Sequence, residues 1–175
     1  MRDQKSNNKT TAKNQVYLGL GSNIDPGNYI LKAVELLRSL FFISDISNAW
    51  ESFPVGTTGP KFVNVALSFK TDLSLEMLKN EVLRPIENQL GRVRTSNKNA
   101  PRTIDLDILI WNDRVIDPEL VYHPHLAVPF AEINPEFKPF GKSDSIKEIA
   151  ESLNSNKALV NCPEISQKIK KVFSS

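Results

Sequence analysis

A single cysteine, Cys162, leaves no partner for an intramolecular disulfide and excludes a Cys-rich zinc site. No apolar stretch approaches the ~20 residues that span a bilayer. No G-x-x-x-x-G-K-[ST] occurs, so a P-loop is excluded. Gly19-Leu-Gly21 fails as a dinucleotide fingerprint, because Ile24 holds the third glycine position. The two histidines sit together in His123-Pro-His125, too few ligands for a zinc set. Excess charge is also lacking: a net +2 argues against a dedicated nucleic-acid or membrane-surface protein. Residues 1–15 are polar and basic, without the apolar run of a signal peptide. They read as a disordered extension before a single domain over 16–175, with the cytoplasm as the default compartment and a monomer as the default state. No internal repeat is present, and 175 residues suffice for one real core.

What is there centres on Arg102-Thr-Ile-Asp-Leu-Asp-Ile-Leu-Ile-Trp111. Ile104, Leu106, Ile108 and Ile110 fall on one parity, and Thr103, Asp105, Asp107 and Leu109 on the other. That pattern predicts a half-buried strand with both carboxylates on one face, about 7 Å apart at Cα. Such carboxylates repel each other and call for cations. A pair of divalent ions, held roughly 3.5–4 Å apart in two-metal sites, resolves the conflict. Alone, a D-x-D is better explained by a solvated face of an edge strand. The residues upstream change that. Arg92, Arg94, Lys98 and Arg102 bring four cations beside two anions, as metal-bound polyphosphate requires. The polar run from Arg94 to Pro101 reads as a loop. Arg102 shares the parity of the isoleucines, so the strand must begin after it for its guanidinium to reach the carboxylate face.

The rest of the chain supplies a frame. Val16 to Leu20 reads as a strand, and Asp25-Pro-Gly27 as a turn opening a helix through Leu40. Phe41 to Phe53 and Phe62 to Phe69 read as two strands. Ser74 caps a helix striped by Leu75, Leu78, Val82, Ile86 and Leu90, with Pro85 dividing or kinking it and Gly91 ending it. After the Asp105 strand comes a Pro-rich stretch, 118–139, then helical patterns near Ile146–Leu153 and Ile165–Phe173. The order strand, helix, strand, strand, helix, strand predicts an α+β ferredoxin-like antiparallel sheet. Its helices would pack on one face and its site would lie on the other. His125 suits hydrogen bonding to a phosphate or ribose, and His123 reads as a turn histidine fixed by Pro124.

Gly91-Arg-Val-Arg94 followed by Pro101-Arg-Thr-Ile-Asp-Leu-Asp107 resembles the 6-hydroxymethyl-7,8-dihydropterin pyrophosphokinase family of folate biosynthesis. Leu18-Gly-Leu-Gly-Ser-Asn23, Glu51-Ser-Phe-Pro-Val-Gly56, Phe62-Val-Asn64 and Val128-Pro-Phe-Ala-Glu-Ile-Asn-Pro135 resemble it too. The resemblance implies transfer of pyrophosphate from ATP to the pterin hydroxymethyl group, with release of AMP. It assigns two Mg²⁺ to Asp105 and Asp107. It assigns the transferring phosphates to Arg92 and Arg102, ATP to Arg94, Lys98 and His125, and the pterin to Ser52, Phe53, Val55, Phe62 and Asn64. The family carries a longer connection after His125, with an arginine and an aromatic that close on the ligands. Here only Leu126 and Ala127 precede Val128-Pro129, and Asn99 and Ala100 stand where tryptophan and glycine are common. The resemblance therefore leaves two readings, an active enzyme with a shortened lid or a divergent relative that binds with little turnover. A third reading, a nucleic-acid module on a ferredoxin-like sheet, lacks net charge and an aromatic platform.

Overall fold

In the computed structural model, residues 13–54, 59–94 and 100–174 are described. Strand β1 (Asn14–Ser22) buries Val16, Leu18 and Leu20 on one face and presents Gly19 and Gly21 on the other. It starts two residues before the apolar run, because Asn112 Oδ1 accepts the Gln15 N–H at 2.9 Å. Of the extension read from sequence, residues 1–12 lie outside the described residues. Helix α1 (Pro26–Leu40) opens with proline at its first turn and lays Ile30, Ala33, Val34 and Leu37 on the apolar face of β1.

The run from Phe41 to Phe53 forms two strands rather than one, β2 (Ile43–Ile46) and β3 (Trp50–Ser52). Ser47 divides them: its N–H donates to the Ala66 carbonyl at 2.9 Å, and its Oγ accepts the Ala66 N–H at 2.9 Å. Both strands pair with β4 (Phe62–Thr71). Ser74 then caps α2 (Leu75–Met77) through the Met77 N–H. The helix widens into a π-helical stretch, Leu78–Leu83, before α3 (Arg84–Gln89). Pro85 has no N–H to offer the preceding turn, and the wider ladder, with Arg84 N–H bonded to the Lys79 carbonyl, absorbs the break. Gly91, at φ 77°, ends the helix as its position implies.

Strand β5 (Asp105–Trp111) begins after Arg102 and forms a hairpin with β6 (Arg114–Val115). The Pro-rich stretch is more ordered than its composition implies. It holds a 3₁₀ turn, Pro118–Val121, and α4 (Pro124–Ile133), followed later by α5 (Ile146–Leu153). A short β7 (Val160–Asn161) and α6 (Pro163–Ser174) complete the chain. The strands form one antiparallel sheet in the order β6-β5-β1-β4-β3-β7, with β2 also on β4. This is the α+β ferredoxin-like arrangement.

Two details depart from the period-two reading. Tyr17 pairs with Ile110 and Leu18 with Ile108, so Leu109 is a bulge. The bulge turns Ile110 away from the face of Ile104, Leu106 and Ile108 and beside Leu109. The helices are also not confined to one face. Leu109, Ile110 and Ala66 form a second core with Leu120, Ala127, Phe130, Ile146 and Ala150, so α4 and α5 cover part of the other face. The remainder of that face stays open and holds a cavity.

Candidate active site

One row crosses the open face. Trp50 pairs with Asn64, Asn64 with Gly21, and Gly21 with Asp105. In the next row Ala66 pairs with Gly19 and Gly19 with Asp107. Glycine therefore separates each carboxylate from β4, leaving a trough. A Cβ at Gly21 would stand 3.6 Å from Asn64 Oδ1 and 4.0 Å from the Phe62 ring. The cavity above measures about 300 Å³ and is walled by Ser52, Phe53, Pro54 and Phe62 at one end. Arg102, Asp105, Asp107, Asp117, Glu119, His123, His125 and Pro129 wall the other.

Each end is held from behind. Asn64 Nδ2 donates to Ser52 Oγ at 2.9 Å and to the Trp50 carbonyl at 3.2 Å. The amide donors are thus committed, and Oδ1 faces Gly21. At the charged end, Asp105 is bridged by Arg92 Nη1 and Arg102 Nη1. Arg102 is fixed through its backbone: its N–H donates to Asn23 Oδ1 at 2.7 Å and its carbonyl accepts the Asn23 N–H at 3.2 Å. Its guanidinium also lies 5.7 Å from the Phe62 ring centroid. Arg92 reaches back from Asp105 to Glu87, which is 2% exposed. Glu87 further accepts Arg94 Nη2 at 2.6 Å and the Leu106 N–H at 2.9 Å.

Residues 17–135 match the family of 7,8-dihydro-6-hydroxymethylpterin-pyrophosphokinase (HPPK). The chain belongs to that family. The 2-amino-4-hydroxy-6-hydroxymethyldihydropteridine pyrophosphokinase of Aquifex aeolicus is 41% identical over 119 residues, covering 67% of this chain and 71% of the relative. The enzyme of the same name from Bacillus subtilis is 38% identical over 133 residues, 69% of this chain and 78% of the relative. The crystal structure of wild-type Plasmodium falciparum HPPK-DHPS superposes with a TM-score of 0.67 at 12% identity, which speaks for the fold alone. That comparison covers 88% of this chain and 45% of the other, so the chain spans under half the length of that solved structure. HPPK enzymes use ATP as co-substrate.

Within this cavity the two aspartates differ. Asp105 is neutralised by two guanidiniums. Asp107 is exposed toward the cavity, yet its carboxyl sits in a recess where surrounding protein thins its hydration. That loss of hydration, with Asp105 and then Asp117 adding repulsion and Arg92 opposing, pushes it up to about 7. Burial works against the charge on Arg92, but Asp105 and Glu87 outweigh it and hold the guanidinium protonated. His125, in the first turn of α4, is pushed down to about 4 by burial and then by His123, with Glu119 opposing.

Of the residues singled out in the sequence, Ser52, Phe53, Phe62, Asn64, Arg102, Asp105, Asp107 and His125 line this one cavity. Arg92 stands behind Asp105, and Arg94 is drawn to Glu87 rather than to the cavity wall. Phe53 sits at the rim, 69% exposed, with Lys61 Nζ 4.9 Å from its ring centroid. Val55 and Lys98 lie outside the described residues. Glu87, Asp117 and Glu119 escaped the sequence reading. Glu87 carried a signal, since an acid beside Ile86 and four residues after Leu83 falls on the buried stripe. His123 is more than a turn residue: it lines the cavity and its Nε2 lies 2.7 Å from Glu119 Oε2.

Proposed function

We propose that this site transfers the β,γ-pyrophosphoryl group of ATP to the hydroxymethyl oxygen of 6-hydroxymethyl-7,8-dihydropterin, releasing AMP. The observation that carries the reading is the trough itself. A polar-edged apolar slot and a cation-flanked carboxylate pair share one cavity, separated by Gly21 alone in the sheet row. The substrate oxygen bonds to the β-phosphorus, the bond from that phosphorus to the α,β-bridging oxygen breaks with its electron pair leaving on AMP, and the hydroxyl proton passes to solvent. Such a reaction needs positioning and charge stabilisation more than covalent help.

The residues divide the work. Phe62 and Pro54 offer apolar walls to a flat heterocycle. Asn64 meets it through Oδ1, because its two donors are spent on Ser52 and Trp50, and so reads N–H groups on the ring edge. Arg102 and Arg92 hold Asp105 through Nη1 and bring two guanidinium charges to this end of the cavity, the kind of fork that pairs with phosphate oxygens. His125, neutral at pH 7, contributes a hydrogen bond rather than a charge.

The donor set fits magnesium. Among the described residues no three His, Cys, Asp or Glu side chains are grouped to hold an ion by themselves. Two carboxylates, one of them crowded by acids and unneutralised, suit a small hard cation that takes its other oxygens from polyphosphate and water. Asp105 and Asp107 would hold two Mg²⁺, which supply neutralisation of the phosphoryl oxygens. The acidic floor also disfavours a bare nucleic-acid backbone. We read the working form as one monomeric domain that begins with β1 at Asn14 rather than at residue 16, acting in the cytoplasm. Among the described residues no helix is long and apolar enough to cross a membrane.

The test is AMP release from Mg-ATP with and without the hydroxymethyl pterin. Native protein should release AMP only with the pterin, and Asp107→Ala should lose at least ~10²-fold in turnover while remaining folded. AMP release that ignores the pterin, or an Asp107→Ala variant with native turnover, would overturn the reading.

A further inference from the structure

Glu132 lies in the last turn of α4, outside the cavity. Its carboxylate gathers three N–H donors from the segment entering β3. Oε2 accepts the Asn48 backbone N–H at 2.7 Å, and Oε1 accepts Asn48 Nδ2 at 3.2 Å and Trp50 Nε1 at 3.0 Å. Trp50 in turn fixes Asn64, both as its sheet partner and through the carbonyl that accepts Asn64 Nδ2. At its other end α4 carries His125, Leu126 and Pro129 on the cavity wall. A single carboxylate is thus bonded to the strand that orients the heterocycle reader and is borne by the helix that walls the phosphate end.

We infer that Glu132 is a positioning residue that couples the two ends of the site, holding α4 and the Trp50–Asn64 pair in one fixed relation. The inference rests on the reading that Asn64 meets the pterin. The chemistry calls for a carboxylate. A neutral amide at this position keeps one acceptor oxygen for Trp50 and Asn48 Nδ2, but turns an NH₂ toward the Asn48 backbone N–H. Glu132→Gln therefore loses part of the clamp and Glu132→Ala loses all of it.

The first arm of the test uses the ligand-free protein. By NMR, the Trp50 indole N–H and the Asn64 side-chain amide should both shift in Glu132→Ala, and less in Glu132→Gln. The Asn14 amide, bonded to the Leu73 carbonyl at 3.0 Å, serves as a remote reference and should stay. An Asn64 amide that does not move overturns the coupling. The second arm measures pterin affinity by calorimetry, with a non-hydrolysable Mg-ATP analogue present. Glu132→Ala should raise the pterin Kd about fivefold in the native background. In an Asn64→Ala background it should add almost nothing, since both act through one path. Equal losses in both backgrounds would make Glu132 a stability residue only. Absence of pterin binding by the native chain would instead refute the proposed substrate, leaving the coupling to be decided by the NMR arm. Should Glu132→Ala unfold, Trp50→Phe removes the indole donor alone and should still shift the Asn64 amide.

Discussion

Thr103 carries a buried hydroxyl, and among the described residues its Oγ1 has no hydrogen-bond partner. A buried polar atom left unmatched costs about 1–3 kcal/mol, whereas an isosteric apolar group incurs no such cost. Thr103→Val should raise stability in urea by about 1 kcal/mol and leave turnover unchanged, because Thr103 does not line the cavity. A destabilised variant would mean that the hydroxyl finds a partner after all. His125 gives a second prediction at this scale. Its folded pKa of about 4 lies below the ordinary 6.5 of histidine. Above pH 6.5 both folded and unfolded forms are neutral and the burial is harmless. As pH falls toward the folded value, the unfolded chain takes up a proton that the folded one refuses, so stability is lost across that window. His125→Gln should flatten the stability profile between pH 6.5 and 4 and leave the profile above pH 7 unchanged. An unaltered slope in urea titrations would place that loss on other groups.

At the scale of elements, Glu87 joins α3 to β5. With 2% of its side chain exposed, it accepts Arg92, Arg94 and the Leu106 N–H. Removing one partner of a buried ion pair costs about 3–5 kcal/mol, and Arg92 keeps Asp105 as a second anion. Glu87→Ala should therefore lose about 3 kcal/mol, read from urea unfolding, and Glu87→Gln markedly less. A loss under 1 kcal/mol would show that Asp105 alone satisfies Arg92. The same region shows what the sequence made legible. The carboxylate spacing, the start of β5 after Arg102 and the glycine end of α3 follow from local rules of parity and capping. The ferredoxin-like order follows from the succession of elements. The Leu109 bulge was hidden, because Leu109 and Ile110 are both apolar and either parity reads as a strand. The α4 helix was hidden because Pro124 and Pro129 resemble loop residues. Yet proline at the first turn is favourable, and apolar Leu120, Ala127 and Phe130 need a sheet face to cover. Glu87 and Glu132 were hidden for a different reason: their partners lie in other segments, and no spacing rule brings them together.

At the scale of the molecule, the question is how the cavity closes. Its volume of about 300 Å³ sits at the bottom of the range for ligand sites and is small for ATP and a pterin together. Parts of both ligands must then extend beyond the walls described. The residues after His125 form no flap. They continue α4 itself, where Ala127, Pro129 and Phe130 are buried. Among the described residues this end of the cavity is bounded by Arg102, His123, neutral His125 and acids, and Arg102 is the one lysine or arginine that lines it. Water admitted to the reacting phosphate and an exposed heterocycle face both weaken transfer. The chain should therefore bind Mg-ATP well but show a high pterin KM and low turnover. A longer connection bearing an arginine and an aromatic, inserted between His125 and Val128, tests this directly. The fold should tolerate it, because Pro129 would then stand in the first turn of a shortened α4, where proline is favoured. A gain of about tenfold in kcat/KM, equivalent to ~1.4 kcal/mol, is expected. A folded graft with unimproved kinetics, or a native chain with tight pterin binding, would show that the site closes by other means. Residues 95–99, outside the described structure and directly upstream of Arg102, would then be the segment to vary next.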